Sequence, residues 1–339
     1  MTLRLSCLKA VLGVLALGIS AHKSAWAAEG AWTCTAPGSN GFWTNSLNWS
    51  GTTYPSGIEP AWFTSAGNGQ STVDLSGLAF IKSITFDTPA VGAFTLGTGA
   101  ANSQTLILAD NGEIRLSSTA ANSQIFNCGI QLGIDRTAQS YYLNNENATQ
   151  SLTFNDLFFV SQDVGNNTGN KTLVVKGVGP VSILGSIRQN GASTLYLHQI
   201  NSSTLTLSGS NVVTALYMYG GPSSVLDIGS KELVLSSNGG NVLNCYLGGT
   251  ITGSGKLRLS TWDSYSSAGV NYADLNVVAG KTLVINCEIT GPGGLESNSG
   301  TGMFVLNGTN TFLGHMNIAT AGGTFSVSTI GNRGIPSNC

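Results

Sequence analysis

The sequence predicts an all-β solenoid, in which short strands wind into stacked turns. Three observations predict it. Apolar residues two apart recur from Leu106/Leu108 to Phe304/Leu306, at intervals of about ten residues, as short strands with regular turns do. Glycine supplies 45 of 339 residues while charged residues make up only 9%, against about 25% in an ordinary soluble domain. Finally, Leu205-Thr-Leu207-Ser-Gly209-Ser-Asn211 returns as Phe304-Val-Leu306-Asn-Gly308-Thr-Asn310 at a constant offset of 99 residues. A repeated unit that cannot close its own core must stack on its neighbours, which favours a solenoid over a sandwich. No amphipathic helical period lasts long enough to compete, and disordered chains carry more charge and fewer β-branched residues.

The elements follow in order. Residues 1–27 read as a secretory signal, with Arg4 and Lys9 ahead of the apolar run Ala10–Ile19 and the small-x-small site Ala25-Trp26-Ala27. That run is too short to span a bilayer, and no later segment is apolar enough to cross as a helix. Cleavage after Ala27 leaves 11 basic residues against 16 acidic ones. A mildly acidic chain without a basic stretch has no footprint for nucleic acid.

Residues 28–99 differ in composition. They hold Trp32, Trp43, Trp49 and Trp62, with Tyr54 and early prolines. We read them as an aromatic, loop-rich cap over the first turn, whose strand edges need cover. A sugar-binding aromatic face is the alternative.

Residues 100–339 read as solenoid turns, with inward pairs Leu106/Leu108, Ile114/Leu116, Leu152/Phe154, Leu173/Val175, Val181/Ile183, Leu195/Leu197, Leu205/Leu207, Leu216/Met218, Val225/Asp227 and Leu233/Leu235. Leu257/Leu259, Leu275/Val277, Leu283/Ile285 and Phe304, Leu306, Met316, Ile318, Phe325 and Val327 continue the series. Gly209, Gly308, Asn211 and Asn310 are residue types that turns of positive φ favour. Cys128, Cys245 and Cys287 each follow an apolar-Asn pair and read as buried thiols on similar strands. Five cysteines remain after signal removal, so at least one has no intrachain disulfide partner.

Two stretches carry a family resemblance. Gly291-Pro-Gly-Gly-Leu295, Gly300-Thr-Gly-Met-Phe-Val-Leu-Asn-Gly-Thr-Asn-Thr-Phe-Leu-Gly314 and Ala321-Gly-Gly-Thr-Phe-Ser-Val327 closely resemble the autotransporter-associated β-strand repeat of exported bacterial passenger proteins. The run Trp43, Trp49, Pro55, Trp62-Phe63 and Ser83-Ile-Thr-Phe-Asp87 resembles the opening of the same proteins. The resemblance spans Trp32 to Asn338 and is strongest over 289–327. It implies a right-handed parallel β-helix, secreted or held at the bacterial outer surface, acting as a structural or adhesion passenger. Such proteins usually end in a membrane barrel. No ten-residue alternating strands with aromatic girdles follow the repeat, so a fragment without a translocator is expected. Its uncapped last turn is expected to self-associate.

Candidate chemistry is sparse. The carboxylate pairs Asp110/Glu113, Asp156/Asp163 and Asp227/Glu232 lie around turns without a Lys, Arg or His cluster. His198 and His315 lack a nearby ligand set, and no G-x-S-x-G occurs. Asn201-Ser-Ser203 and Asn307-Gly-Thr309 match a glycosylation pattern that an Asn/Ser/Thr-rich chain produces by chance. The reading is therefore a non-enzymatic module with no catalytic, cofactor-binding or metal residues. Its expected partners are surface glycans or neighbouring cells. The alternative is a carbohydrate-binding or polysaccharide-cleaving β-helix, distinguished by whether stacking gathers charged groups on one outward face.

Overall fold

The computed structural model describes residues 30–36, 38, 40–100, 103–134, 138–160, 169–189, 194–237, 241–260, 272–297, 300–318 and 323–327. The signal segment 1–27, Asp163 and Cys339 lie outside them. The described chain is a parallel β-solenoid without an α-helix; its only helical pieces are the 3₁₀ turns Ser46–Asn48 and Gly67–Gly69. Every strand pairing is parallel.

Three faces run along the stack. The first face begins with Pro60–Phe63 and Ser83–Phe86, and continues through Glu113–Leu116, Gln139–Asn145, Lys171–Gly177, Leu195–Gln199 and Ala215–Met218. Asn241–Cys245, Tyr272–Val277, Gly294–Ser297 and Met316–Ile318 complete it. The second face is an 11-stranded sheet from Thr72–Val73 to Thr324–Val327. The third face starts where Leu78–Ile81 pairs with Thr105–Leu108, then with Gly129–Leu132, Phe158–Val160 and Ile187–Arg188. It resumes in the four-stranded sheet from Asn211–Val213 to Glu288–Thr290. Counted from Pro60, nine turns carry all three faces and two more carry the first two. Pairing thus starts well inside the tryptophan-rich segment.

Leu78–Phe86 and Thr105–Leu116 are single strands that turn a corner, pairing on the third face with one half and on the first with the other. In the second of them the bend falls at Asn111-Gly112. Asn111 sits at φ 55°, a left-handed conformation that asparagine tolerates better than most residues.

Alternation dictates what lies inside. All the expected pairs from Leu106/Leu108 to Phe304/Leu306 are buried, with one exception. In Val225–Asp227 it is Leu226 that is buried, followed by Ile228, while Asp227 points outward and its carboxylate accepts the Gly229 N–H at 2.9 Å. A one-residue slip exchanges the two sides of a strand, and Leu226/Ile228 is the more apolar pair. At the far end, Met316, Phe325 and Val327 pack partly against the core. Ile318, expected inward, is 55% exposed: it stands above Ser297 on the ladder, and no described strand covers it.

The 99-residue repeat is a geometric fact of the stack. Thr204–Leu207 and Met303–Leu306 lie on the second face four steps apart, so each turn takes about 25 residues on average. Both are followed by the same corner. Asn211 Oδ1 accepts the Ile187 N–H at 2.8 Å and Asn310 Oδ1 accepts the Ile289 N–H at 2.9 Å, each from the turn below. Their Nδ2 groups donate back to Gly209 O and Gly308 O. The two glycines are not at positive φ, which corrects the expectation from the sequence. They are glycine because a Cβ would run into the backbone carbonyl of Gly185 or Cys287 in the turn beneath.

Inside, the early turns are filled by rings. Phe63 stacks on Phe86 at 4.9 Å, and Phe126 on Phe154 at 4.8 Å; such pairs add about 0.5–1.5 kcal/mol beyond their burial. Trp32, Trp43 and Trp49 are buried in the same cluster, edge to face at 5.0 and 4.8 Å. Their indole N–H groups donate to the carbonyls of Gln70, Pro55 and Trp43. These three rings are core, which removes the sugar-face alternative for them.

Cys128, Cys245 and Cys287 are buried free thiols, as is Cys34. Their settings differ from the single kind of strand expected. Cys128 and Cys287 occupy the corner after a second-face strand, while Cys245 lies within a first-face strand. Burial pushes the Cys245 thiol up to about 11 and Cys287 up to about 12, and raises Cys128 as well.

Candidate functional site

The outward side of the first face collects most of the chain's chemistry. Strand alternation sends Leu173, Val175, Leu195, Leu197, Leu216 and Met218 inward, so the residues between them face away from the core, although Val174, Ala215 and Asn244 are themselves covered. Parallel pairing then stacks those outward residues in rows about 4.8 Å apart. One row runs Ser140, Thr172, Tyr196, Ala215; the next runs Tyr142, Val174, His198, Tyr217, Asn244.

The upper part of this surface is aromatic. Tyr196 meets Tyr217 edge to face at 6.0 Å, and His198 lies 4.6 Å from Tyr217. Tyr219 stacks on Tyr246 at 4.5 Å with the planes 9° apart. All five side chains are partly exposed. Burial lowers the His198 pKa, so the imidazole is neutral over most of the physiological range. Burial first, and then the neighbouring Tyr246, push the Tyr219 hydroxyl up to about 12.

Next to Tyr196, His198 and Tyr217 lies a groove of about 430 Å³. Its remaining polar lining comes from the amides of Asn111, Gln139 and Asn170 and the hydroxyls of Ser140 and Thr172. Among the described residues no carboxylate, lysine or arginine lines it.

Farther along the strands of the third to fifth turns, stacking assembles a charged cluster. Arg115 donates to both carboxylate oxygens of Glu146, at 3.0 and 2.7 Å. Lys176 pairs with Glu113 at 3.0 Å and lies 4.6 Å over the Tyr142 ring. Asn144 Nδ2 donates to Glu113 at 3.1 Å and to Glu146 at 3.0 Å. The two bonded carboxylate oxygens stand no more than about 6 Å apart, a limit that admits the roughly 5–5.5 Å separation of retaining glycosidases. Their electrostatics differ from a glycosidase's. The Arg115 hydrogen bonds hold the Glu146 carboxyl below its usual range despite some opposing burial, so Glu146 has no proton to donate near neutral pH. Two cations and two anions satisfy one another.

The sequence pairs fare differently. Asp110 does not join Glu113; it accepts from the buried Tyr141 hydroxyl at 3.1 Å where the strand bends. Asp156 is buried and accepts the Leu157 N–H. Asp227 lies on the second face and Glu232 on the third, facing Arg258 at 4.0 Å. His315 is exposed in a corner while His198 joins the groove. No cluster of three potential metal ligands occurs among the described residues. Glu146, Arg115 and Tyr217 could have been found only by placing the outward residues in register, because each belongs to a different turn.

The described fold is that of a β-helix repeat protein. No protein-family model, curated protein or solved structure matches the chain.

Proposed function

We propose that this protein is an exported, non-enzymatic structural module of adhesion type, a stiff β-solenoid that holds one outward face for contact with surface glycans or neighbouring cells. The observation that carries this reading is the row of aromatic and amide side chains on the first face, fixed by backbone ladders across successive turns. A surface pinned by such ladders is presented without a large ordering cost on contact. The signal-like residues 1–27 and the resemblance to passenger repeats support export to a bacterial surface. The test is display of the full chain in a Gram-negative host, with antibody access on intact cells, followed by adhesion of beads coated with residues 28–339 to glycan-bearing cells. Retention in the cytoplasm, or beads that adhere no better than albumin-coated ones, would overturn it.

A second reading, polysaccharide cleavage, is favoured by the Glu113–Glu146 spacing alone. The cations argue against it: Arg115 pairs with Glu146 and Lys176 with Glu113, whereas one carboxylate must be a proton donor in that chemistry. Release of reducing ends from polysaccharides that disappears in Glu146→Gln would establish cleavage in place of the structural role.

A further inference from the structure

We infer that the first-face groove is a subsite for an uncharged, linear oligosaccharide whose chain runs along the solenoid axis from the fourth turn to the seventh. The inference deepens the adhesion reading by naming the ligand chemistry of its contact surface.

Three features select this ligand. Among the described residues the lining is made of rings, amides and hydroxyls, with neither carboxylate nor permanent cation. A sugar ring offers an apolar face of C–H groups and a rim of hydroxyls. The first matches aromatic faces and the second matches side chains that both donate and accept. An anionic sugar would find no cation among the described lining residues, and Lys176 and Arg115, farther along the strands, are already held by Glu113 and Glu146.

Direction follows from register. Ser140, Thr172 and Tyr196 form one row, and each step along it moves one turn up the stack. Tyr217, in the seventh turn, follows His198 in the neighbouring row. Polar contacts therefore lie toward the fourth and fifth turns, and stacking surfaces toward the sixth and seventh. A chain laid across the strands meets both kinds in sequence.

The test is calorimetric titration of residues 28–339 with cellohexaose, maltohexaose, xylohexaose and mannohexaose, and with hexagalacturonate as the charged comparator. At least one neutral hexasaccharide should bind, and hexagalacturonate should bind more weakly. Tyr196→Ala and Tyr217→Ala should each weaken binding about tenfold or more, as removal of a stacking residue at the centre of a site does. Tyr217→Phe should stay close to the parent, because the ring face is kept. Tyr54→Ala, outside the groove, should change nothing. Far-ultraviolet circular dichroism of each variant separates a lost subsite from a lost fold. Stronger binding of hexagalacturonate, binding indifferent to both alanine variants, or no binding to any neutral probe would each overturn the inference. In the last case, bead adhesion that persists leaves the adhesion reading standing. Neutral-sugar binding without cell adhesion would sustain the subsite and sink that reading.

Discussion

Gly308 and Asn310 show how a single residue can serve the turn beneath it. Gly308 lets the chain pass over the Cys287 carbonyl, and Asn310 supplies an acceptor to the buried Ile289 N–H. Gly308→Ala should destabilise by about 1–3 kcal/mol through forced backbone movement. Asn310→Ala should cost a similar amount, about 1–3 kcal/mol, by leaving that donor unpaired. Urea titration followed by circular dichroism reads both. The thiols give a pH signature. An unfolded cysteine titrates near 8.5, whereas Cys245 and Cys287 are held up to about 11 and 12 by burial. Their contribution is complete below about pH 8.5 and is lost as pH rises through the folded values, because only the unfolded chain can then release those protons. Stability should therefore fall between about pH 8.5 and 11, and Cys245→Ala/Cys287→Ala should reduce that slope, leaving the share of Cys34 and Cys128, which burial raises as well. At this scale the sequence was readable wherever alternation was strict. It misled at Val225/Asp227, where the inward pair is Leu226/Ile228, and at the corner glycines, whose cause lies in a neighbouring turn.

Among elements, the tryptophan-rich segment and the charged cluster make opposite energetic claims. Gly30 O accepts the Trp62 N–H at 2.8 Å and the Trp62 carbonyl accepts the Trp32 N–H at 2.7 Å, so residues 30–32 lie along the open edge of Pro60–Phe63. We read this segment as cover for that edge, with Trp43 and Trp49 filling the space behind it. Trp43→Ala should cost about 3–5 kcal/mol and should promote aggregation through the uncovered edge, measured by thermal melts with light scattering. Arg115→Ala should change stability by no more than about 1 kcal/mol, because the pair with Glu146 is about one-third solvent-exposed on each side and screened by water. The short strands and regular turns that carry these elements were visible in the apolar spacing. The separation of the strands into three faces was not, since nothing in one strand's pattern states which neighbour it will meet.

For the whole molecule, stability should build up by turns rather than around one centre. Leu283 and Phe304 occupy the same ladder position in successive turns. Removing residues 283–303 therefore joins Thr282 to Phe304 with the second face still in register. The shortened chain should keep a β-type circular dichroism spectrum and a cooperative urea transition at lower denaturant. Loss of folded signal would mean that the stack behaves as one indivisible core. The candidate site belongs to this scale too: the sequence displays Tyr196 and Tyr217 as isolated residues, and only stacking of the turns sets their rings 6.0 Å apart.

The three corners of the prism are not equally free. From the second face to the third, most connections in the described turns are two to four residues long, as between Phe126 and Gly129 or Leu207 and Asn211. From the third face to the first the spacing in sequence between described strands varies more, from the unbroken strands Leu78–Phe86 and Thr105–Leu116, through the single Thr214, to the twelve positions that separate Leu259 from Tyr272. Ala138 and Asn170, both on the groove, each stand just before a first-face strand at this permissive edge. Chain length can therefore drift most along that margin while the ladders keep their rhythm. Such a molecule has a conservative floor and an improvisable rim, so natural variants could exchange what they recognise by rewriting that rim without refolding anything beneath it.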